Sequence, residues 1–414
     1  MANSVIPYGK QSISQDDIDA VVEVLQSDYL TQGPKVKEFE EAFAEYVGAK
    51  YAIAVANGTA ALHLNALALG VKEGDKVITS PITFAASANC VRYCGGEVVF
   101  SDIDPETYLL DINKVRGLLE ADKEKKIKGI IPVDFAGRSV DMEGFRSLAD
   151  EFNCWIIEDA CHAPGAFFEN SRGEKIKAGS GVYANLAIFS FHPVKHIAAG
   201  EGGMITTSNS ELYEKLQMLR THGITKDASQ FLNSLDLAVG DTEYSVPNTQ
   251  YPSWYMEMQE LGYNYRMPDI NCALGLSQLQ RADDGLKRRH EIAKSYYEAF
   301  KAIQQVTDRN HEHMPPSTEH QSPNYQVGHA HHLYVVEVED RLGLYNYLRE
   351  HQVYAQIHYI PCHLMPYYRE FGWKEGDLPH AEYYYRHCIS IPMYPTLTRT
   401  EQEQVIETIL RFYT

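Results

Sequence analysis

The sequence predicts an α/β protein with a large, mainly parallel β-sheet and a smaller C-terminal α+β domain. Short apolar strands alternate with helical stretches from about residue 51 to residue 190. Several strands, such as 155–158, are apolar on both faces, which is typical of a parallel sheet covered by helices on both sides. After a long helical stretch, the pattern changes to a short strand–helix–strand set. We therefore predict a large domain over residues 1–285 and a small domain over 286–414.

The N-terminal segment begins with two predicted helices, over 15–27 and 36–46. Ser14 precedes the first helix and acidic residues occupy its first turn, a typical capping pattern. Strands then follow at 51–55, 76–79, 97–101, 129–133, 155–158 and 186–190, with helices at 60–69 and about 84–93 between the early ones. Each strand is bounded by a turn or by a helical pattern, as βα units require.

The second half of the chain is less regular. Residues 226–259 are polar, aromatic and interrupted by Gly and Pro, which predicts a long excursion from the core. A helical stretch follows over 269–300, with a predicted break near Gly285. We expect strands at 332–339 and 354–359 on either side of a helix at 340–350. Thr398 and Glu401 form a capping box that opens the last helix.

Composition excludes several classes of protein. The 414 residues include 37 Lys and Arg against 56 Asp and Glu, a net charge of −19, which argues against a nucleic-acid groove. No apolar stretch approaches the ~20 residues that span a bilayer. The N-terminus does not resemble a signal peptide. We expect a cytoplasmic protein with no nucleic-acid or membrane partner.

The cysteines and histidines do not predict a metal site. The seven cysteines are scattered, as expected of reduced thiols in the cytosol. Histidines cluster in and beside the polar loop 305–328, but without a spaced set of partner ligands. These are His311, His313, His329, His331 and His332.

Three groups of polar residues follow predicted strands, where open α/β folds place their ligands. The first, around Gly58, could hold a phosphate at a helix start, or could be an ordinary turn. In the second, Asp159 could serve a ligand or merely cap a helix. The third contains Lys195 and is followed by a glycine-rich turn at 200–203; a lone lysine is usually a surface charge.

Together, these groups resemble the DegT/DnrJ/StrS family of sugar aminotransferases over nearly the whole chain. The matching segments are 30–33, 57–61, 83–84, 158–162, 190–195, 200–203, 263–266 and 358–361. The resemblance implies a fold-type I enzyme that uses pyridoxal 5'-phosphate, with a seven-stranded-type large sheet. It also implies a homodimer whose active site is shared between the subunits.

The resemblance also implies catalytic roles. Lys195 would bind the cofactor as a Schiff base and later act as general base. Asp159 would keep the pyridine nitrogen protonated, a charge that a neutral amide could not supply. His162 would lie near the phenolic oxygen, although an ordinary core histidine is the alternative.

Other positions match binding residues of the family. Phe84 would stack on the cofactor ring, or be an ordinary buried aromatic. Gly58, Thr59 and Ser190 would bind the phosphate, joined by Asn264 of the neighbouring subunit, for which turn chemistry is the alternative. Tyr8, Thr31, His358 and Tyr359 would contact the nucleotide sugar, with plain packing as the alternative for each.

The segments 133–140, 275–279 and 358–361 resemble family members of the pseudaminic-acid pathway. This implies transfer of the amino group of L-glutamate to C4 of a UDP-4-keto-6-deoxy-N-acetylhexosamine. The alternatives are another NDP-keto-deoxysugar as acceptor, a dehydratase, and a non-catalytic regulator that binds the cofactor or a nucleotide sugar. Lys195 argues against the dehydratase, because family members with that chemistry lack the lysine.

The excursion 226–259 is longer than in the shortest members of the family. It carries Tyr244, Tyr251, Trp254 and Tyr255. We predict that it covers the active site of the neighbouring subunit; a surface flap is the alternative.

Overall fold

The structure is a computed structural model that describes residues 5–239, 251–310 and 327–413. The strands are β1 Tyr51–Val55, β2 Lys76–Thr79, β3 Glu97–Phe100, β4 Ile127–Ile131, β5 Trp155–Asp159, β6 Phe167–Glu169, β7 Lys175–Lys177, β8 Leu186–Ser190, β9 Gly203–Thr207, β10 Ile224–Thr225, β11 Glu257–Met258, β12 Val306–Asp308, β13 Val327–Gly328, β14 Tyr334–Val338 and β15 Cys388–Ile391. The helices are α1 Gln15–Leu25, α2 Pro34–Val47, α3 Gly58–Ala68, α4 Ala86–Tyr93, α5 Ile112–Ala121, α6 Met142–Phe152, α7 Ser210–Arg220, α8 Leu235–Val239, α9 Asp269–Leu279, α10 Ala282–Phe300, α11 Arg341–Glu350, α12 Pro366–Arg369, α13 Pro379–His387 and α14 Arg399–Tyr413.

A large sheet forms the centre of the molecule, with the strand order β1-β9-β8-β5-β4-β2-β3. The five strands from β8 to β3 are parallel, and β9 runs antiparallel to both β1 and β8. Alternate residues of one strand enter two different apolar clusters: Ile53 joins one and Ala54 the other. Helices therefore cover both faces, and the predicted α/β class with a seven-stranded, mainly parallel sheet is confirmed.

Local capping fixes the helices that border the sheet. The Asn57 side chain accepts a hydrogen bond from the Ala60 N–H at 2.8 Å and so starts α3 directly after β1. Ser14 and Asp17 form the predicted capping box of α1. The buried Asp17 carboxylate also accepts hydrogen bonds from Ser277 at 2.7 Å and Gln278 at 2.6 Å, which anchors α1 on α9.

The C-terminal part has its own apolar core around the antiparallel sheet β12-β14-β15. Helices α10, α11 and α14 supply much of this core. Thr398 and Glu401 form the predicted capping box at the start of α14, with hydrogen bonds of 2.8 and 3.2 Å. The division into domains 1–285 and 286–414 stays a prediction.

Two predictions of secondary structure were wrong. The helical stretch 269–300 breaks at Gln280 and Arg281, where the backbone of Arg281 leaves helical geometry, whereas Gly285 lies inside α10. A glycine costs a helix only about 1 kcal/mol, so it does not force a break. Segment 354–359 is no strand: within it, only Gln356 forms a bridge, to Ser390 of β15.

The excursion 226–259 is described in part. The short pair β10–β11 closes its base, and α8 follows the first strand, whereas residues 240–250 lie outside the described ranges. Tyr244 is therefore not placed. In the described ranges, no helix is long and apolar enough to cross a bilayer.

Candidate active site

A cavity of about 430 Å³ opens at the carboxyl ends of the parallel strands. This volume is within the usual range for small-molecule sites, and the position is where open α/β sheets bind ligands. The predicted site residues that line it are Tyr8, Gly58, Thr59, Phe84, Asp159, His162, Ser190, Lys195, His358 and Tyr359. The structure thus brings together residues from the N-terminus, the large sheet and the C-terminal part.

Thr31 and Asn264 do not line this cavity. Both residues are exposed, Thr31 between α1 and α2 and Asn264 in a backbone bridge with Thr221. Their predicted roles stay predictions.

Asp159 ends β5 with its carboxylate held by two donors. The Ser87 hydroxyl donates to Oδ2 at 2.6 Å, and the Cys161 N–H donates to Oδ1 at 3.2 Å. The Thr83 hydroxyl lies 2.7 Å from that of Ser87. Because the Ser87 proton points at the carboxylate, Thr83 acts as donor to Ser87. This relay fixes the orientation of Asp159 in the cavity wall.

Lys195 lies in the loop between β8 and β9. The loop is closed by hydrogen bonds from the Lys195 N–H to the His192 carbonyl at 2.8 Å and from the Ala199 N–H to the Phe191 carbonyl at 2.9 Å. Desolvation in the cavity lowers the pKa of the Lys195 amine, and the nearby Cys161 and Asp159 oppose that shift only in part. A lowered pKa provides more neutral amine, the form that acts as nucleophile or base.

His162 is held in one tautomer. The Ala136 N–H donates to Nδ1 at 3.3 Å, so the neutral ring carries its proton on Nε2, which lies 3.4 Å from the Tyr359 hydroxyl. Burial, reinforced by the charge of Lys195, lowers the pKa of His162 well below its usual value. His162 therefore presents a neutral N–H donor at this side of the cavity.

Sequence reasoning missed several residues of the cavity wall, among them Ser87 and His332. Ser87 follows Thr83 by four residues at the start of α4, so a helical projection could have paired them. His332 was considered only as a metal ligand, yet it lines the cavity, with its ring centroid 4.3 Å from that of His162. Burial lowers the pKa of His332 as well. No signal in the sequence connects His332 with His162.

No group of three or more His, Cys, Asp or Glu side chains suited to a metal ion occurs in the part of the chain that the structure describes. His311 and His313 lie outside that part.

Residues 11–410 match the DegT/DnrJ/EryC1/StrS aminotransferase family, and the chain belongs to this family. It is a sugar aminotransferase of that family, and some of its relatives are named as aminotransferases of UDP-linked sugars.

The relatives bear different names. The chain is 37% identical over 416 residues to the spore coat polysaccharide biosynthesis protein SpsC of Bacillus subtilis, covering 98% of this chain and 97% of SpsC. It is 35% identical over 410 residues to the UDP-4-amino-4,6-dideoxy-N-acetyl-beta-L-altrosamine transaminase of Campylobacter jejuni, covering 98% and 96%. Among solved structures, Helicobacter pylori PseC, an aminotransferase of pseudoaminic acid biosynthesis, superposes with a TM-score of 0.82 at 27% identity, covering 99% of both chains.

Enzymes of this family depend on pyridoxal phosphate. The putative sugar aminotransferase Spr1654 of Streptococcus pneumoniae, 28% identical with a TM-score of 0.80 over 98% of this chain and 97% of its own, has been solved in its PLP form.

The cavity residues fit this cofactor. A Cβ on Gly58 would lie 3.1 Å from the Ser190 Cβ, so a side chain there would fill the space between the start of α3 and Ser190. The first N–H groups of a helix lack partners within it and suit a phosphate. Phe84 lines the cavity and is 64% exposed, so its ring is accessible to a planar ligand.

Proposed function

We propose that the protein transfers the amino group of L-glutamate to C4 of UDP-2-acetamido-2,6-dideoxy-β-L-arabino-hex-4-ulose in pseudaminic acid biosynthesis. One cavity that joins Lys195 and Asp159 to Tyr8, His358 and Tyr359 carries this proposal. The names of the Campylobacter relative and of the Helicobacter structure support the choice of sugar.

The cavity residues divide the chemistry among them. When bound, pyridoxal phosphate supplies the electron sink that stabilises negative charge on the amino carbon of the substrate. Lys195 would hold the cofactor and then, as a neutral amine, would move a proton between that carbon and C4′ of the cofactor. Asp159 would face the pyridine nitrogen and hold its proton. His162 would donate from Nε2 to the phenolic oxygen.

The opposite wall suits the sugar nucleotide. The rings of Tyr8 and His358 lie 5.2 Å apart. Ser390 on β15 lies 2.9 Å from the His358 Nδ1, and the Tyr384 hydroxyl donates to the His358 carbonyl at 2.6 Å. Burial lowers the pKa of His358 to about 3, so its ring is neutral and suited to hydrogen bonding with hydroxyl groups. His358 is thus a rigid polar group on an aromatic wall.

A panel of nucleotide-linked keto sugars tests which acceptor the protein aminates. The protein would be incubated with glutamate and with UDP- and dTDP-linked 4-keto and 3-keto sugars, and the configuration of each product would be determined by NMR. We expect the UDP-4-keto-6-deoxy-N-acetylhexosamine to be aminated with the highest kcat/KM. Preference for a dTDP sugar or for a 3-keto group would contradict the proposal and favour another acceptor, a possibility that the similarity to SpsC keeps open.

The proposed site is completed by a second copy of the chain. Asn264 is exposed, outside the cavity of its own chain, where it could meet a neighbour. Trp254, Met258 and Leu261 in or near the excursion are also exposed by 66 to 79%. Large apolar side chains exposed within one short segment suit a protein contact, and we propose that this segment lies against the active site of the partner.

A mixed dimer tests this arrangement. Lys195→Ala and Asn264→Ala chains are each expected to be inactive, or nearly so, as homodimers. After refolding or co-expression together, about one quarter of wild-type turnover should return, because half of the dimers are mixed and each contains one intact site. If Asn264 acted within its own chain, mixing would restore nothing. Full activity of Asn264→Ala alone would also contradict its role.

A further inference from the structure

Two buried carboxyl groups lie behind Asp159 and take no part in the chemistry assigned above. Glu158 precedes Asp159 on β5 and is 3% exposed. Asp134 lies just beyond the neighbouring strand β4 and is fully buried. Burying two charged carboxylates side by side would be costly, so their protons must be accounted for.

The hydrogen bonds of Asp134 and Glu158 indicate that one of the two carboxyl groups is protonated. Asp134 Oδ1 accepts from the Val140 N–H at 2.8 Å, and Glu158 accepts from the Gly179 N–H. Asp134 Oδ2 and Glu158 Oε1 are buried and receive no donor group from the described residues. The two carboxyl groups are nevertheless in hydrogen-bonding contact with each other. Since an ionised carboxyl group only accepts, this contact requires a proton on one of them.

We propose that Asp134 and Glu158 share a single proton and act together as a positioning pair for Asp159. The backbone already joins the same two segments. The Asp134 N–H donates to the Asp159 carbonyl at 3.0 Å, and the Asp159 N–H donates to the Pro132 carbonyl at 2.9 Å. The shared proton adds a side-chain link next to Asp159, the residue assigned to the pyridine nitrogen of the cofactor.

Loss of this proton would place two negative charges in contact. The Asp159 carboxylate on β5 and the Cys161 thiol beyond it interact electrostatically with the pair. Both are negative when ionised, so they add repulsion and favour retention of the proton. The resulting repulsion would separate the ends of β4 and β5 and displace Asp159.

The pKa shifts determine how the free energy of unfolding changes with pH. Burial and the neighbouring carboxylate raise the pKa of Asp134 well above its ordinary value, and burial raises the pKa of Glu158 to about 7. Folding therefore takes up protons that the unfolded chain has released. The free energy of unfolding from this source is fully present below about pH 4 and falls as the pH rises; the part from Glu158 is lost above about pH 7, and the part from Asp134 only at a higher pH.

Asp134→Asn is the decisive variant, because an amide donates to Glu158 without a shared proton and keeps the charge of the pair at −1. We expect this variant to fold and to retain most of kcat near neutral pH. Its free energy of unfolding should depend less steeply on pH between about 4 and 7 than that of the wild type, since one protonating group is gone. Asp134→Ala, which leaves Glu158 without its partner, should lose about tenfold or more in kcat through misplacement of Asp159.

Infrared spectroscopy gives a second measurement that needs no substrate. Wild-type apoprotein near neutral pH should show the C=O stretch of a buried protonated carboxyl group, and Asp134→Asn should lack it. If the wild type lacks this band, or if the two proteins show the same pH dependence of unfolding, the shared proton is refuted. If Asp134→Ala folds and keeps the wild-type kcat and pH profile, the positioning role is refuted. These outcomes are independent of which sugar the enzyme aminates.

Discussion

Lys195→Ala is expected to abolish both turnover and covalent retention of the cofactor. The Lys195 amine lies in the cavity wall beside Asp159 and Cys161, and its pKa is lowered by desolvation. A methyl group can neither bind the cofactor covalently nor move the proton at the amino carbon. Proton transfer by a positioned side chain alone contributes about 10²- to 10⁴-fold, so we expect a loss of at least about 10³-fold in kcat.

Bleaching of the cofactor absorbance measures the reaction with glutamate, and borohydride trapping measures the covalent bond to Lys195. The wild type reconstituted with cofactor should be yellow, should bleach with glutamate, and should yield a labelled Lys195 peptide after borohydride reduction. Lys195→Ala should show none of these. Lys114→Ala is a matched control, because Lys114 is an exposed residue on α5. Retained kcat in Lys195→Ala would refute the assignment.

Much of the fold follows from local patterns in the sequence. The parallel strands are short and apolar, and helices follow β2, β3 and β4, so their order along the chain could be predicted. The antiparallel strand β9 was not predicted, because Thr206 and Thr207 end it with buried polar side chains. The Thr206 hydroxyl donates to the Gly179 carbonyl at 2.6 Å and that of Thr207 to the Asn185 carbonyl at 2.8 Å. Tertiary hydrogen bonds thus replace the apolar pattern that marks the other strands.

The candidate site was predictable where short motifs carry its residues. Lys195, Asp159 and Gly58 each lie beside the end of a predicted strand, and the topology of the sheet brings them together. Ser87 is 72 residues from Asp159, so its hydrogen bond to the carboxylate depends on the fold alone. The role of Asn264 could be inferred only from the resemblance, because the fold of a single chain does not bring this residue into the cavity.

Substitutions of Asp159 test whether its charge or its hydrogen bonding is needed for turnover. Asp159→Ala should lose most turnover, and we expect a fall of about 10²- to 10³-fold, the usual effect of removing one preorganised electrostatic group. Asp159→Asn is nearly isosteric and can still accept from Ser87, but it lacks the negative charge that, in the proposed role, would hold a proton on the pyridine nitrogen. We therefore expect Asp159→Asn to lose nearly as much kcat as Asp159→Ala.

Ser87→Ala separates orientation from charge, because it removes the 2.6 Å donor and leaves the carboxylate in place. Hydrogen bonds to charged groups contribute about 1.5–3 kcal/mol, so we expect a loss of about tenfold or somewhat more in kcat. Stopped-flow measurement of the half-reaction with glutamate, at saturating cofactor, would compare the variants, and circular dichroism would verify their fold. An undiminished rate in Asp159→Asn would reject the electrostatic role. A defect that disappears at high cofactor concentration would instead make Asp159 a binding residue, because charge needed for catalysis cannot be replaced by mass action.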